Sequence, residues 1–416
     1  MKINPVKGTN DYLPADTALR DGLQGTILEV YRAAGYNRIT TPILEDIENL
    51  DKSEGGENLN LIFKVLKRGE KLEAALAEGD SQALSDMGLR YDLTLPLCRY
   101  YAANRALLPT PFKCIQTDRV YRAERPQKGR LREFVQCDID ILGDERKECE
   151  IELIATTAKA LLKLGFEQFT VKVNDRRILR AVLAKCGFAE ESFDSVCISL
   201  DKLDKIGAEG VKEELVAKGC TGEAIERLLV LFESPLTVES VSEFVPECTA
   251  AERLQAILED SRRLARARYQ VVFDLTLIRG QGYYTGTVFE VSVAGYPGAV
   301  AGGGRYDNLV GKFISESVPA VGFSIGFERI FSILKEKGCA PMGARKRLGV
   351  IYEGVFAEAY EFAETLRKDY DCTLFERPKK FGKLLNNLEK NGFDGYVSAA
   401  EPEKRIFFAD GKEKQN

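Results

Sequence analysis

"DRVYRAERPQKGRLREFVQCDIDILG", residues 118–143, reads as two strands joined by a charged turn around Pro126, Lys128 and Gly129. In the second strand Gln136, Asp138 and Asp140 share one face by period-two alternation, and Cys137, Ile139 and Ile141 share the other. An apolar face opposite a carboxamide and carboxylate face marks the floor of a pocket. For Asp138 alone, a solvent-facing or turn-paired position is the simpler expectation, so Gln136 and Asp140 are the candidates.

The surrounding chain builds outward from this hairpin. Upstream, "DTALRDGLQGTILEVYRAAGY" has apolar residues at helical spacing and ends at Gly35, and "NRITTPILED" reads as an alternating strand. Downstream, "KECEIELIATTAKALLKLGF" is an amphipathic helix. The expected organisation is a catalytic core over 1–173, a charged helical insertion over 174–268 and a second part of the core over 269–337. A small α/β domain over 338–416 follows a basic Pro/Gly connector. The insertion's charges are read as a solvated surface.

Composition limits the chemistry. With 416 residues and 44% hydrophobic content the chain can bury more than one core. A net charge of −5 gives no global basic field, so any nucleic acid must meet a local patch. The ten cysteines stand at least eleven positions apart, which leaves no metal or disulfide spacing and reads as reduced thiols. No signal core or membrane-length apolar run is present, so a soluble cytoplasmic protein is expected. There is no histidine at all, which removes His-based triads, HExxH zinc sites and imidazole bases. Chemistry must then run on Arg, Lys, Asp, Glu, Gln, Tyr, Thr and backbone groups.

Neither GxxxxGK[ST] nor a strand-linked GxGxxG occurs, so any ATP is held another way. Three arginines supply that way. Arg122 stands near the end of a strand, Arg279 interrupts an apolar strand in "LIRGQGYYTGTVFEV", and Arg329 lies beside Gly326 in "IGFERIF". Each alone also fits a structural ion pair. Together they point to a polyanionic ligand, because a guanidinium cannot be neutralised by losing its proton and its planar fork suits phosphate or carboxylate. Asp92 and Thr94 in "LRYDLTLPL", with Tyr283 and Tyr284, supply groups for an ammonium and a small hydrogen-bonding side chain. The glycines of "AGGGRYDNL" permit close strand approach beside that pocket or contact the ligand directly.

The segments "GYNRITTPILED", "VYRAERPQKGRLREF" and "VGFSIGFERIF" look like motifs 1, 2 and 3 of class II aminoacyl-tRNA synthetases. "LRYDLTLP", "QCDID", "RGQGYYTG" and "AGGGRYDNL" narrow the resemblance to histidyl-tRNA synthetases and their paralogues, over nearly the whole chain. The resemblance implies an α+β fold: a class II antiparallel sheet flanked by helices, a helical insertion and a small C-terminal α/β anticodon-binding-like domain. It implies ATP-dependent ligation of histidine to tRNA(His) through histidyl-adenylate, Mg²⁺ as cofactor and a homodimer. By the same resemblance Arg122, Glu124, Arg130 and Arg329 take ATP. Asp92, Thr94 and Gln136 take the amino end of histidine, while Asp140 and Tyr284 read its imidazole. Arg279 and Arg122 are the catalytic cations, with Arg279 at the reacting α-phosphate and carboxylate. The alternative is a catalytically silent paralogue that senses histidine as a regulatory subunit of ATP phosphoribosyltransferase.

Three departures from the family pattern stand out. Gln281 and Gly282 replace the Leu-Asp that usually precedes the tyrosine pair, Asp92 and Asp140 stand where many bacterial members have Glu, and the C-terminal domain closes early with "RIFFADGKEKQN".

Overall fold

The helix expected near the N-terminus is α1 (Pro14–Ala33), and Gly35, at φ 85°, ends the turn beyond it. Leu23, Ile27, Val30 and Tyr31 recur at helical spacing and are buried. The stretch "NRITTPILED" does not continue as one strand. It splits into β1 (Asn37–Arg38) and β2 (Leu44–Asp46), which belong to different sheets. Pro42 has no N–H for a ladder, and the buried Arg90 guanidinium takes the carbonyls of Thr41 and Pro42 at 2.8 and 3.3 Å.

The computed structural model describes residues 1–416 except 52–60, 127–129, 201, 234, 280–281, 340–342, 344 and 409–416. Lys128 and Gly129 of the charged turn and Gln281 of the arginine signature therefore lie outside the described residues. The chain divides into two compact units, one of residues 1–11 and 23–339 and one of 12–22 and 340–416.

In the first unit β2 pairs with β4 (Ser85–Leu89), and β4 with β3 (Lys64–Leu66), forming a small antiparallel sheet. The short helices α2 (Ile47–Asp51) and α3 (Glu70–Glu78) accompany it, and α4 (Thr94–Asn104) follows. The hairpin expected from the sequence is β5 (Phe112–Tyr121) and β6 (Glu133–Leu142), antiparallel over ten residue pairs. After α5 (Glu148–Lys163) come β7 (Phe169–Asp175), β8 (Gln270–Phe273), β9 (Thr287–Val293), β10 (Ala301–Arg305) and β11 (Ala320–Gly326). The order is β1-β5-β6-β11-β10-β9-β7-β8. All internal pairs are antiparallel, and only the edge strands β1 and β8 pair in parallel.

Between β7 and β8 the chain is helical: α6 (Arg176–Cys186), α7 (Phe193–Leu200), α8 (Leu203–Ala217), α9 (Gly222–Val230), α10 (Val238–Phe244) and α11 (Ala250–Ala265). α12 (Phe327–Glu336) starts straight from β11 and buries Phe327, Ile330, Phe331, Ile333 and Leu334. At about 1.5–3 kcal/mol for each such side chain, this packing fixes the helix that carries Arg329.

The second unit alternates β12 (Arg347–Tyr352), α13 (Phe356–Leu366), β13 (Asp371–Glu376), α14 (Phe381–Lys390), β14 (Gly395–Ser398) and β15 (Glu401–Phe407). Its sheet order is β13-β12-β14-β15, parallel except for the last pair. Of the closing segment quoted above, residues 405–407 belong to the antiparallel edge strand β15, and 409–416 lie outside the described residues. Among the described residues no helix is long and apolar enough to cross a membrane, and all ten cysteines are free thiols.

Candidate active site

One face of the large sheet carries an open cleft of about 1440 Å³, lined by all eleven residues singled out in the sequence: Asp92, Thr94, Arg122, Glu124, Arg130, Gln136, Asp140, Arg279, Tyr283, Tyr284 and Arg329. Its floor is the polar face of β6. Gln136 and Asp140 face the cleft as the alternation required, and Asp138 faces it too. Asp138 is neither solvent-facing nor turn-paired: it is 4% exposed, because a central strand between β5 and β11 has no wet face at that point.

Glycines make the floor possible. Gly322 lies opposite Asp140 in the β6–β11 register, and a Cβ there would fall 1.9 Å from Asp140 Oδ1. Only hydrogen fits. Tyr306, just beyond β10, donates its hydroxyl to the same Oδ1 at 2.6 Å. Burial pushes the Asp140 carboxyl up to about 7, against the lowering pull of the Tyr306 hydroxyl. Beside it Gln136 Nε2 donates to Ser324 Oγ at 3.0 Å.

At one end Asp92 precedes α4 and accepts the Leu95 amide at 3.2 Å. The Tyr283 hydroxyl donates to Asp92 Oδ2 at 3.2 Å and lies 3.4 Å from Thr94 Oγ1. Burial raises the Asp92 carboxyl, opposed by the Leu95 amide, the Arg122 charge and the Tyr283 hydroxyl. This corner offers carboxylate and hydroxyl acceptors to an ammonium group.

The arginines stand on three different elements. Arg122 follows β5 directly; its Nε donates to the Tyr91 carbonyl at 3.0 Å and its guanidinium lies over the Phe134 ring. Arg329, in the first turn of α12, donates Nη1 to the Ala299 carbonyl, with Gly298 leaving space beside it. Among the described residues neither has a carboxylate in ion-pair contact. Burial first, then the Arg130 charge, works against the protonated form of Arg329, as for a cation placed to await an anion. Arg130 reaches Glu124 at 3.7 Å on the rim.

Arg279 is not inside a strand. β8 ends at Phe273, where Asp274 accepts from the Thr276 amide and hydroxyl at 3.0 and 2.6 Å and turns the chain, so Arg279 rides on the β8–β9 loop. It does have the ion pair that a structural role would need, Nη1 to Glu290 Oε2 at 2.9 Å, yet its Nε is buried without a partner. Its guanidinium covers Gly302, where a Cβ would fall 2.4 Å from Cζ. The Tyr284 ring similarly covers Gly304. "AGGGR" is thus itself a strand, β10, whose missing side chains seat the groups that form the wall.

Sequence reading ranked Asp138 below Gln136 and Asp140 and did not single out Glu290, Tyr306 or Ser324. Glu290 had the same signal as Arg279, a lone charge in an apolar run. Tyr306 stands two positions beyond Gly304, but β10 ends at Arg305, so alternation alone does not orient it.

Behind the wall lies an ion-pair cluster. Glu150 of α5 is fully buried and accepts Arg305 Nε and Nη2, each at 2.7 Å, and Arg253 Nη2 of α11 at 3.1 Å. Glu150→Ala would leave Arg305 buried without its main partner, and a loss of about 3–5 kcal/mol in urea-unfolding free energy is expected. An unchanged unfolding midpoint would show that the cluster contributes nothing.

A broad antiparallel sheet with arginines at a hairpin, a loop and a helix start, all around one cleft, is the arrangement that the resemblance to class II aminoacyl-tRNA synthetases implies. Residues 8–330 match the model of a family described as histidyl-tRNA synthetase. A histidine–tRNA ligase from Leifsonia xyli is 45% identical over 347 residues, 80% of each chain. The crystal structure of a histidyl-tRNA synthetase from Nostoc superposes with a TM-score of 0.79 at 26% identity, covering 95% of this chain and 91% of that one. A Bacillus halodurans structure described as an ATP phosphoribosyltransferase regulatory subunit/histidyl-tRNA synthetase shares the fold, with a TM-score of 0.76 at 23% identity over 96% and 97% of the two chains. The chain belongs to the histidyl-tRNA synthetase family.

Proposed function

We propose that this chain attaches histidine to its tRNA in two steps within the described cleft. The histidine carboxylate attacks the α-phosphorus of ATP, the bond to pyrophosphate breaks, and histidyl-adenylate forms. A ribose hydroxyl at the tRNA 3′ end then attacks the acyl carbon, the acyl–phosphate bond breaks, and the hydroxyl proton passes to a phosphate oxygen of the departing AMP. Neither step needs an imidazole on the protein. In-line displacement relies on positioning and on charge stabilisation, which suits a cleft of arginines in a chain without histidine.

The observation that carries this reading is the placement of Arg122, Arg279 and Arg329 around one cleft whose floor holds hydrogen-bonding groups for a small polar amino acid. Arg122 would hold the α-phosphate, Arg329 the γ-phosphate end, and Arg279 the charge that builds between α-phosphate and carboxylate. Glu124 and Arg130 belong to the ATP side. Asp92, Thr94, Gln136 and Tyr283 hold the amino end, and Asp140 with Tyr284 and Tyr306 holds the ring. A Mg²⁺ ion bound with ATP would supply charge neutralisation for the pyrophosphate leaving group. Glu124 and Glu290 line the same cleft with the carboxylate oxygens that ion takes.

A silent histidine-sensing role is the poorer fit, since such a protein has no use for three arginines around the reacting phosphates. Charging of purified tRNA with labelled histidine tests the reading. Histidine- and ATP-dependent acylation is expected; retained histidine binding with no acylation would favour the sensor.

A further inference from the structure

Asp138 and Asp140 stand two residues apart on one strand face, 4% and 3% exposed, both lining the cleft. Among the described residues Asp138 Oδ1 and Asp140 Oδ2 are buried and have no hydrogen-bond partner. The neighbours of Asp138 in the sheet leave one of its two oxygens bare. Across β5, Gln116 donates to the Leu93 carbonyl at 2.8 Å and accepts the Thr41 hydroxyl at 3.2 Å. Across β11, the Ser324 hydroxyl meets the Asp138 carboxyl. Among the described residues no lysine or arginine pairs with either aspartate.

We propose that Asp138 and Asp140 together read the imidazole ring of histidine, Asp138 donating as a carboxylic acid to the bare ring nitrogen while Asp140 accepts as a carboxylate from the ring N–H. This rests on the function proposed above and assigns a second specificity-determining residue to its pocket. A neutral imidazole has one donor and one acceptor nitrogen, and a dry pocket must satisfy both. Two ionised carboxylates so close together in a desolvated floor are prohibitive, whereas an acid–carboxylate pair supplies one donor and one acceptor. The division between the two follows from their surroundings. The Tyr306 hydroxyl at 2.6 Å supports charge on Asp140. Burial raises Asp138 well above the usual range and Asp140 adds to it.

The titratable and charged groups within electrostatic reach of Asp138 are Asp140 on its own strand, Asp92 before α4, Arg122 after β5, Cys114 of β5, Tyr284 of the β9 approach and Tyr31 of α1. Of these only Arg122 favours ionisation, and its place in the proposed reaction is on ATP; the Ser324 hydroxyl favours it too, and burial with the Asp140 and Asp92 charges outweighs both. As pH rises through the raised Asp138 value the donor is lost. The KM for histidine then rises on the alkaline side, on the order of tenfold per pH unit.

The test is the KM for histidine in ATP–pyrophosphate exchange between pH 6.5 and 9.5, for the natural enzyme, Asp138→Asn and Asp138→Ala. An asparagine amide donates at every pH, so Asp138→Asn is expected to lose the alkaline rise. Titration of free histidine itself is common to both proteins and cancels in the comparison. Asp138→Ala is expected to raise KM about 10–100-fold at pH 7 with much less change in kcat. An Asp138→Asn profile that keeps the alkaline arm, or an unchanged KM in Asp138→Ala, overturns the inference alone. The isosteric Asn variant decides even where the alanine variant fails to fold. Absence of histidine-dependent exchange in the natural enzyme would instead overturn the function itself, and this inference with it.

Discussion

Replacing Arg279 with alanine is expected to lower histidine-dependent ATP–pyrophosphate exchange about 10²–10³-fold, with the loss falling mainly on kcat. In the proposed reaction Arg279 is the cation at the point where the carboxylate meets the α-phosphate, where charge builds as the new bond forms. Its guanidinium lies over Gly302 with Nη1 anchored on Glu290 at 2.9 Å, and among the described residues its buried Nε has no partner. That anchor fixes direction, and the loop position keeps the residue out of the core. Thermal unfolding of the variant should therefore match that of the natural chain. Lysine at this position should rescue poorly, because a point charge on a flexible stem does not reproduce the planar fork. Near-normal turnover in Arg279→Ala would remove it from the chemistry.

The second large effect belongs to Asp140. Asp140→Ala is expected to lower kcat/KM for histidine by about 10²–10³-fold, chiefly through KM, and to reduce discrimination against aliphatic amino acids. On the proposed reading the pocket penalises an aliphatic side chain because its buried polar groups are left unpaired. Without the carboxylate the Tyr306 hydroxyl loses its 2.6 Å acceptor, and the space kept open by Gly322 is partly vacated. Comparing exchange with histidine, leucine and valine in the two proteins checks this. Unchanged selectivity would mean that the ring is read elsewhere.

Much of this site was legible because strand alternation is a strict constraint. Once β6 was recognised, the direction of Gln136 and Asp140 followed from the pleat. The same rule also oriented Asp138, and burial of a third polar group was the part that local pattern did not convey. Burial depends on the strands to either side, β5 and β11, which are far apart in sequence. Arg279 was found as an anomaly but assigned to a strand, since the hydrophobic run does not reveal that the Asp274 side chain turns the chain. Tyr306 was hidden for a related reason: its contact with Asp140 joins residues 166 positions apart. In "NRITTPILED" the alternation was real, but Pro42 and the Arg90 guanidinium split it between two sheets. Local chemistry thus conveyed which residues line the cleft, and long-range packing decided what they touch.

Amino-acid-dependent ATP–pyrophosphate exchange with the purified chain, run with each of the twenty amino acids in turn, tests the central claim most directly. Exchange with histidine alone is the predicted result. No exchange with any amino acid, or equal exchange with an aliphatic one, would contradict it.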